Sequence, residues 1–178
     1  VYDEALVEPL ARVLANLGVK KAMVVYGQDG LDEISMSAPT TVCEVKDGEF
    51  LSYVITPEQF GFTRCSKDEL IGGSPQDNAQ IALAILKGEK GPRRDAVVLN
   101  SAAAIHIAKG ISIEDAIREA QEVIESGKFR PIQEEHILVS GEQAKYRDIL
   151  FTDEFIFGLY SAQVDAFYKS NFDESYGV

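Results

Sequence analysis

The stretch Val19-Lys20-Lys21-Ala22-Met23-Val24-Val25-Tyr26-Gly27-Gln28-Asp29-Gly30 decides the fold class. Ala22–Tyr26 is apolar without alternation, as expected of a buried strand. Gly27–Gly30 then turns the chain into a loop. Upstream, Asp3 is placed to cap a helix with Leu6, Val7, Leu10, Val13, Leu14 and Leu17 on its apolar side, and Gly18 stops it. Downstream, Thr41–Val45 and Phe50–Ile55 read as two strands joined through Asp47-Gly48. That dipeptide is a hairpin signal because both residues tolerate positive φ.

Helical punctuation follows. Ser66 with Glu69 three positions on forms a capping box for a short helical turn. Ser74-Pro75 opens a helix that carries Ile81, Leu83, Ile85 and Leu86 and ends at Gly88. Pro92–Lys109 is an Ala-rich helix closed by Gly110, and Ser112 starts a last one through Ser126. The order helix–strand–hairpin–helix–helix–helix indicates an α/β body. Its strands are too few for a complete doubly wound sheet, so further strands are expected from the tail or from sequence upstream.

The chain has 178 residues, 46% of them hydrophobic, which suffices for one domain with a real core. Its apolar run Ser101–Ala108 is far short of the ~20 residues of a membrane span, so no membrane partner is expected. The net charge is −12, with 17 basic residues against 29 acidic. Only Lys20-Lys21 and Arg93-Arg94 are adjacent basic pairs, which argues against a phosphate-tracking nucleic-acid surface. Cys43 and Cys65 make neither a metal-type pair nor a disulfide framework, and a reducing cytoplasm is the natural setting. Phe and Tyr number 16, and ten of them fall in Phe129–Val178. That shift divides the chain into an α/β region, residues 1–128, and an aromatic-rich tail, residues 129–178, expected to pack on it. Within the tail, Glu135–Ser140 reads as a short strand, and Gln143–Leu150 and Asp153–Lys169 read as helices.

The densest polar cluster is Gly27-Gln28-Asp29-Gly30-Leu31-Asp32-Glu33-Ile34-Ser35. Asp32 and Glu33 are adjacent carboxylates on a Gly-flanked loop after a strand, where ligands of open α/β sheets bind. Such a pair suits Mg²⁺, which takes one or two carboxylates and completes its shell with water and substrate phosphates. The alternative is a solvated acidic turn. Leu70-Ile71-Gly72-Gly73-Ser74-Pro75 is a second candidate: glycine before a helix start can present N–H groups to an anion, or be a plain loop. Asn78 and Asn100 lie on helices that can face that loop, or are satisfied structural amides. His106 reads as a packed histidine, while His136 falls in the tail. No Gly-x-Ser-x-Gly elbow supports a nucleophilic triad.

The run Ala22–Ser35, followed by Pro39-Thr40, closely resembles the C-terminal half of anthranilate phosphoribosyltransferases. So do Pro57-Glu58-Gln59-Phe60-Gly61, Leu70–Gly73, Ile85-Leu86-Lys87-Gly88-Glu89, Gly91–Asp95 and Leu99–Ala104. The resemblance covers residues 1 to about 128. It implies a partial phosphoribosyltransferase-like α/β body and phosphoribosyl transfer from phosphoribosyl diphosphate to anthranilate, with Mg²⁺, in tryptophan biosynthesis. It also implies that Asp32 and Glu33 hold the metal. Tyr26 departs from the family's common His. The family's Gly-Thr-Gly-Gly-Asp diphosphate loop, its Lys-His-Gly-Asn-Arg segment and its helical dimerisation domain have no counterpart here. The expectation is a fragment inactive alone, with a second copy in a homodimer or a complementing N-terminal half as its partner. From another class comes a non-catalytic scaffold whose aromatic tail forms core or a dimer surface, and a nucleoside phosphorylase activity is a third possibility.

Overall fold

A computed structural model describes residues 1–127. Asp3 caps a 3-10 turn, its side chain accepting from the Ala5 N–H, and the chain runs on into α1 (Val7–Asn16). β1 (Lys21–Gly27), β2 (Thr40–Lys46) and β3 (Glu49–Ile55) form one antiparallel sheet in the order β1-β2-β3. The register pairs Val24 with Cys43 and Cys43 with Ser52. The β2–β3 turn is Asp47-Gly48, with φ of 49° and 85°. Those angles place both residues in the left-handed region, as a two-residue turn matched to strand twist requires.

Two layers of helix cover the sheet. On one face, Val7 and Ala11 of α1 pack with Ala22, Val24, Cys43 and Val45. On the other lie α3 (Pro92–Lys109) and α4 (Ile113–Ser126), with α2 (Pro75–Leu86) before them. There Val98, Leu99, Ala102 and Ile105 of α3 and Ile117, Ala120 and Ile124 of α4 enclose Ile34, Met36, Val42 and Ile55. The uninterrupted apolar run of β1 thus reflects cover from both sides: Ala22 and Val24 turn to α1, Met23 and Val25 to the α3 side. Among the described residues the strand pairs only with β2, and antiparallel, so it lies in no parallel sheet there. Gly110 and Gly127, both with positive φ, close α3 and α4.

The elements expected from Asp3 to Ser126 are all observed, with a 3-10 turn at Pro57–Phe60 in addition, and the further differences lie in strand direction and burial. Leu10, Val13 and Leu17, placed by the sequence on the apolar side of α1, remain 38%, 48% and 70% exposed. The helix carries a wider apolar surface than a three-stranded sheet covers. No single helix among the described residues is long and apolar enough to cross a membrane. The expectations for the tail, including its strand, its helices and His136, lie outside the described residues.

Candidate functional site

Between β1 and β2 the chain makes a long excursion, residues 28–39, held by its own polar groups. The Gly27 N–H donates to Leu31 O (2.8 Å) and the Gln28 N–H to Pro39 O (2.9 Å). Oδ2 of Asp29 accepts from Ser35 Oγ at 2.8 Å and from Ser37 Oγ. Ser35 Oγ accepts in turn from the N–H groups of Ser37 and Ala38 (2.9 and 3.0 Å), and the Ser35 N–H donates to Thr40 Oγ1 (2.9 Å). Burial raises the Asp29 carboxyl, but the hydroxyls of Ser37 and Ser35 outweigh it and hold the group below the usual carboxylate range. Gly27 has no room for a side chain: a Cβ there would come within 2.8 Å of Asp29 Oδ1 and 3.1 Å of Glu33 O.

Asp32 and Glu33 stand at the crest of this excursion, both exposed, where the chain bends. Ile34, the next residue, is buried at 4% exposure in the α3 core. Its backbone is gripped from α3: Asn100 Oδ1 accepts from the Ile34 N–H, and Asn100 Nδ2 donates to Ile34 O, both at 2.9 Å. Below the loop, Lys67 Nζ donates to Asp29 O (2.8 Å) and the Cys65 N–H to Met36 O (3.0 Å). The two acids therefore occupy a short arc pinned at Leu31 and Ile34, and Asp32 O also accepts from the Val1 ammonium (3.2 Å). Two carboxylates on an exposed arc suit a hard cation that keeps water and phosphate oxygens in its shell. Among the described residues no three His, Cys, Asp or Glu side chains converge. An ion held by this pair would draw its remaining ligands from water or substrate.

The second candidate loop is spent internally. The Gly73 N–H donates to Asn78 Oδ1 (2.8 Å) and the Ser74 N–H to Asp77 Oδ2 (2.9 Å), the latter within the capping box of α2. These donors meet helix side chains, and the Asp77 carboxylate lies where an anion would need to be. Asn78 does face Gly73, whereas Asn100 faces the acid-bearing loop and not this one. The adjacent arginines are also engaged: Arg93 donates to Ile71 O (2.7 Å), and Arg94, 6% exposed, pairs with Glu125 Oε1 (2.9 Å).

His106 is a packed histidine at the end of α3. Its Nδ1 lies 2.5 Å from Ile111 O and its Nε2 lies 3.3 Å from Glu44 Oε1, while Glu44 Oε2 accepts from Tyr53 OH (2.9 Å). Burial and the Glu44 carboxylate push the Tyr53 phenol well up. Cys43 is buried in β2, and burial raises the Cys65 thiol, which leaves both as packing residues. The grip of Asn100 on Ile34 was not legible in sequence. Its one signal is an amide in mid-helix, a position where Asn is a poor helix former.

A model of the glycosyl transferase family, a/b domain, matches residues 1–130. The anthranilate phosphoribosyltransferase of Methanobrevibacter smithii is 59% identical over 138 residues, which are 77% of this chain and 41% of that protein. The crystal structure of anthranilate phosphoribosyltransferase (TrpD) from Thermus thermophilus superposes with a TM-score of 0.69 at 35% identity, covering 78% of this chain and 41% of that one. The Saccharomyces cerevisiae anthranilate phosphoribosyltransferase in complex with PRPP and Mg gives 0.68 at 25% identity, covering 75% and 39%. The chain thus spans about two fifths of the length of these relatives.

Proposed function

The chain belongs to the glycosyl transferase family, a/b domain, and on that premise we propose that it supplies the metal-binding part of an anthranilate phosphoribosyltransferase site. In this reading Asp32 and Glu33 hold a Mg²⁺ ion against the diphosphate of phosphoribosyl diphosphate. The observation that carries it is the exposed acid pair on an arc pinned at Leu31 and Ile34. In the reaction the bond from ribose C1 to the diphosphate oxygen breaks, and the anthranilate amine forms the new bond to C1 and loses its proton. When bound, Mg²⁺ neutralises charge that grows on the departing diphosphate. The chain's own contribution is to hold two carboxylates in place before substrate arrives, so that little reorganisation remains. Asp29, through Ser35 and Ser37, keeps the base of the loop folded beneath them.

The groups that cradle the diphosphate and orient anthranilate come, in this proposal, from a complementing N-terminal half, and the chain alone is inactive. Free thiols at Cys43 and Cys65 support a cytoplasmic setting, and tryptophan biosynthesis follows from the reaction. The test is anthranilate fluorescence with phosphoribosyl diphosphate and Mg²⁺, with and without the N-terminal part of one relative. The expected result is turnover only with that part added, reduced at least ~100-fold by Asp32→Asn. Equal turnover by Asp32→Asn removes the metal role, and no turnover with the added part removes the proposal.

A second reading, a non-catalytic interaction domain, is favoured by the exposed Leu10 and Val13 on α1 and Leu17 at its C-terminal cap. It expects deletion of residues 129–178 to abolish folding or assembly, and unchanged melting of the truncated chain overturns it.

A further inference from the structure

We propose that Asn100 is a positioning residue for the acid pair: from α3 it fixes the path of the backbone that carries Asp32 and Glu33, and through it the affinity for a divalent cation. This rests on the reading of the pair as a metal site. A single hydrogen bond to a peptide leaves a pivot. Asn100 makes two to one residue, accepting from the Ile34 N–H and donating to Ile34 O, each at 2.9 Å. Its second amide hydrogen goes to Ala96 O, one turn back on α3 (3.0 Å), which fixes the side chain itself. The Ile34 side chain is buried in the core cluster that holds Val42, Val98, Leu99 and Ala102, so the peptide is held both by packing and by hydrogen bonds. Upstream the Gly27 N–H holds Leu31 O at 2.8 Å. Only Asp32 and Glu33 lie between the two anchors.

The residue type is constrained by this geometry. Alanine suits a helix interior better than asparagine, so the amide is there for its tertiary bonds. Aspartate offers no donor for Ile34 O. Glutamine keeps both groups but sets them one methylene further out.

Mn²⁺ is the probe, titrated against the full chain by electron paramagnetic resonance of the free ion, with folding followed by circular dichroism. Asn100→Ala is expected to weaken Mn²⁺ binding at least tenfold, and Asn100→Gln at least threefold with the helix intact. Val45→Ala, a core change in the α1-side cluster at the β2–β3 turn end of β2, is expected to lower the melting temperature and leave Mn²⁺ affinity unchanged. Affinity within twofold of wild type in folded Asn100→Ala overturns the inference. Should that variant not fold, wild-type affinity in Asn100→Gln overturns it equally. If wild type and Asp32→Asn bind Mn²⁺ alike, the metal reading itself fails and the inference falls with it; loss in Asp32→Asn but not in the Asn100 variants removes the inference alone.

Discussion

Replacing Asp29 by asparagine isolates what a charged acceptor contributes at the base of the acid-bearing loop. In the wild type Oδ2 of Asp29 accepts from Ser35 Oγ (2.8 Å) and from Ser37 Oγ. Hydrogen bonds to a charged group contribute roughly 1.5–3 kcal/mol and neutral ones roughly 0.5–1.5. Asparagine preserves the shape and forfeits about 1 kcal/mol at each of the two bonds, an expected loss of about 2 kcal/mol. The pH profile separates this cause from a packing defect. The carboxyl sits below its ordinary 3.8 in the folded chain, so the unfolded chain takes up the proton first as pH falls. The stabilisation is complete above the ordinary value and is lost as pH drops through it toward the depressed folded value. Urea unfolding from about pH 3 to 8 is therefore expected to give a constant wild-type advantage above about pH 5 that shrinks below about pH 4. An advantage equal at both ends of that range, or none anywhere, refutes the reasoning.

Two further outcomes are open to thermal melts. Leu99→Ala empties a site 1% exposed between α3 and the sheet and is expected to cost about 2–5 kcal/mol, or about 4–20 °C in Tm; a shift below ~2 °C means that core is not packed as described. Gly48→Ala puts a Cβ on a residue at φ 85° and is expected to cost about 1–2 kcal/mol. A neutral result there means the turn tolerates another geometry.

Local chemistry was the legible part of this fold. Asp47-Gly48 fixed the hairpin because few residue pairs accept two positive φ values in a row. Ser74-Pro75, Pro92, Gly110 and Ser112 marked helix ends because each satisfies or forgoes specific backbone groups there. Asp32 and Glu33 stood out as neighbouring acids on a Gly-flanked loop, and the structure leaves them exposed at its crest. What the sequence withheld was tertiary. The apolar stripe of α1 gave no sign that a narrow sheet would leave Leu10, Val13 and Leu17 bare. Gly72-Gly73 left an anion cradle and a plain loop both open, because glycine next to a helix start has two uses. Here the side chains of Asn78 and Asp77 fill the space instead. The partner of Asn100 is a backbone 66 positions away, and nothing in the spacing of residues points to it.

That separation has a consequence for how the molecule comes into being. The β2–β3 hairpin closes over a two-residue turn, whereas joining Ile34 to Asn100 closes a loop of 66 residues, at an entropic cost of about 4 kcal/mol. On a ribosome emitting ~5–20 residues per second, the acid-bearing crest waits several seconds for α3 to appear. Strands and turn assemble from near neighbours during that interval. The carboxylates are synthesised before the hairpin and are among the last groups to be fixed in place, so a chain halted before α3 keeps its hairpin while the arc of Asp32 and Glu33 still lacks its anchor at Asn100.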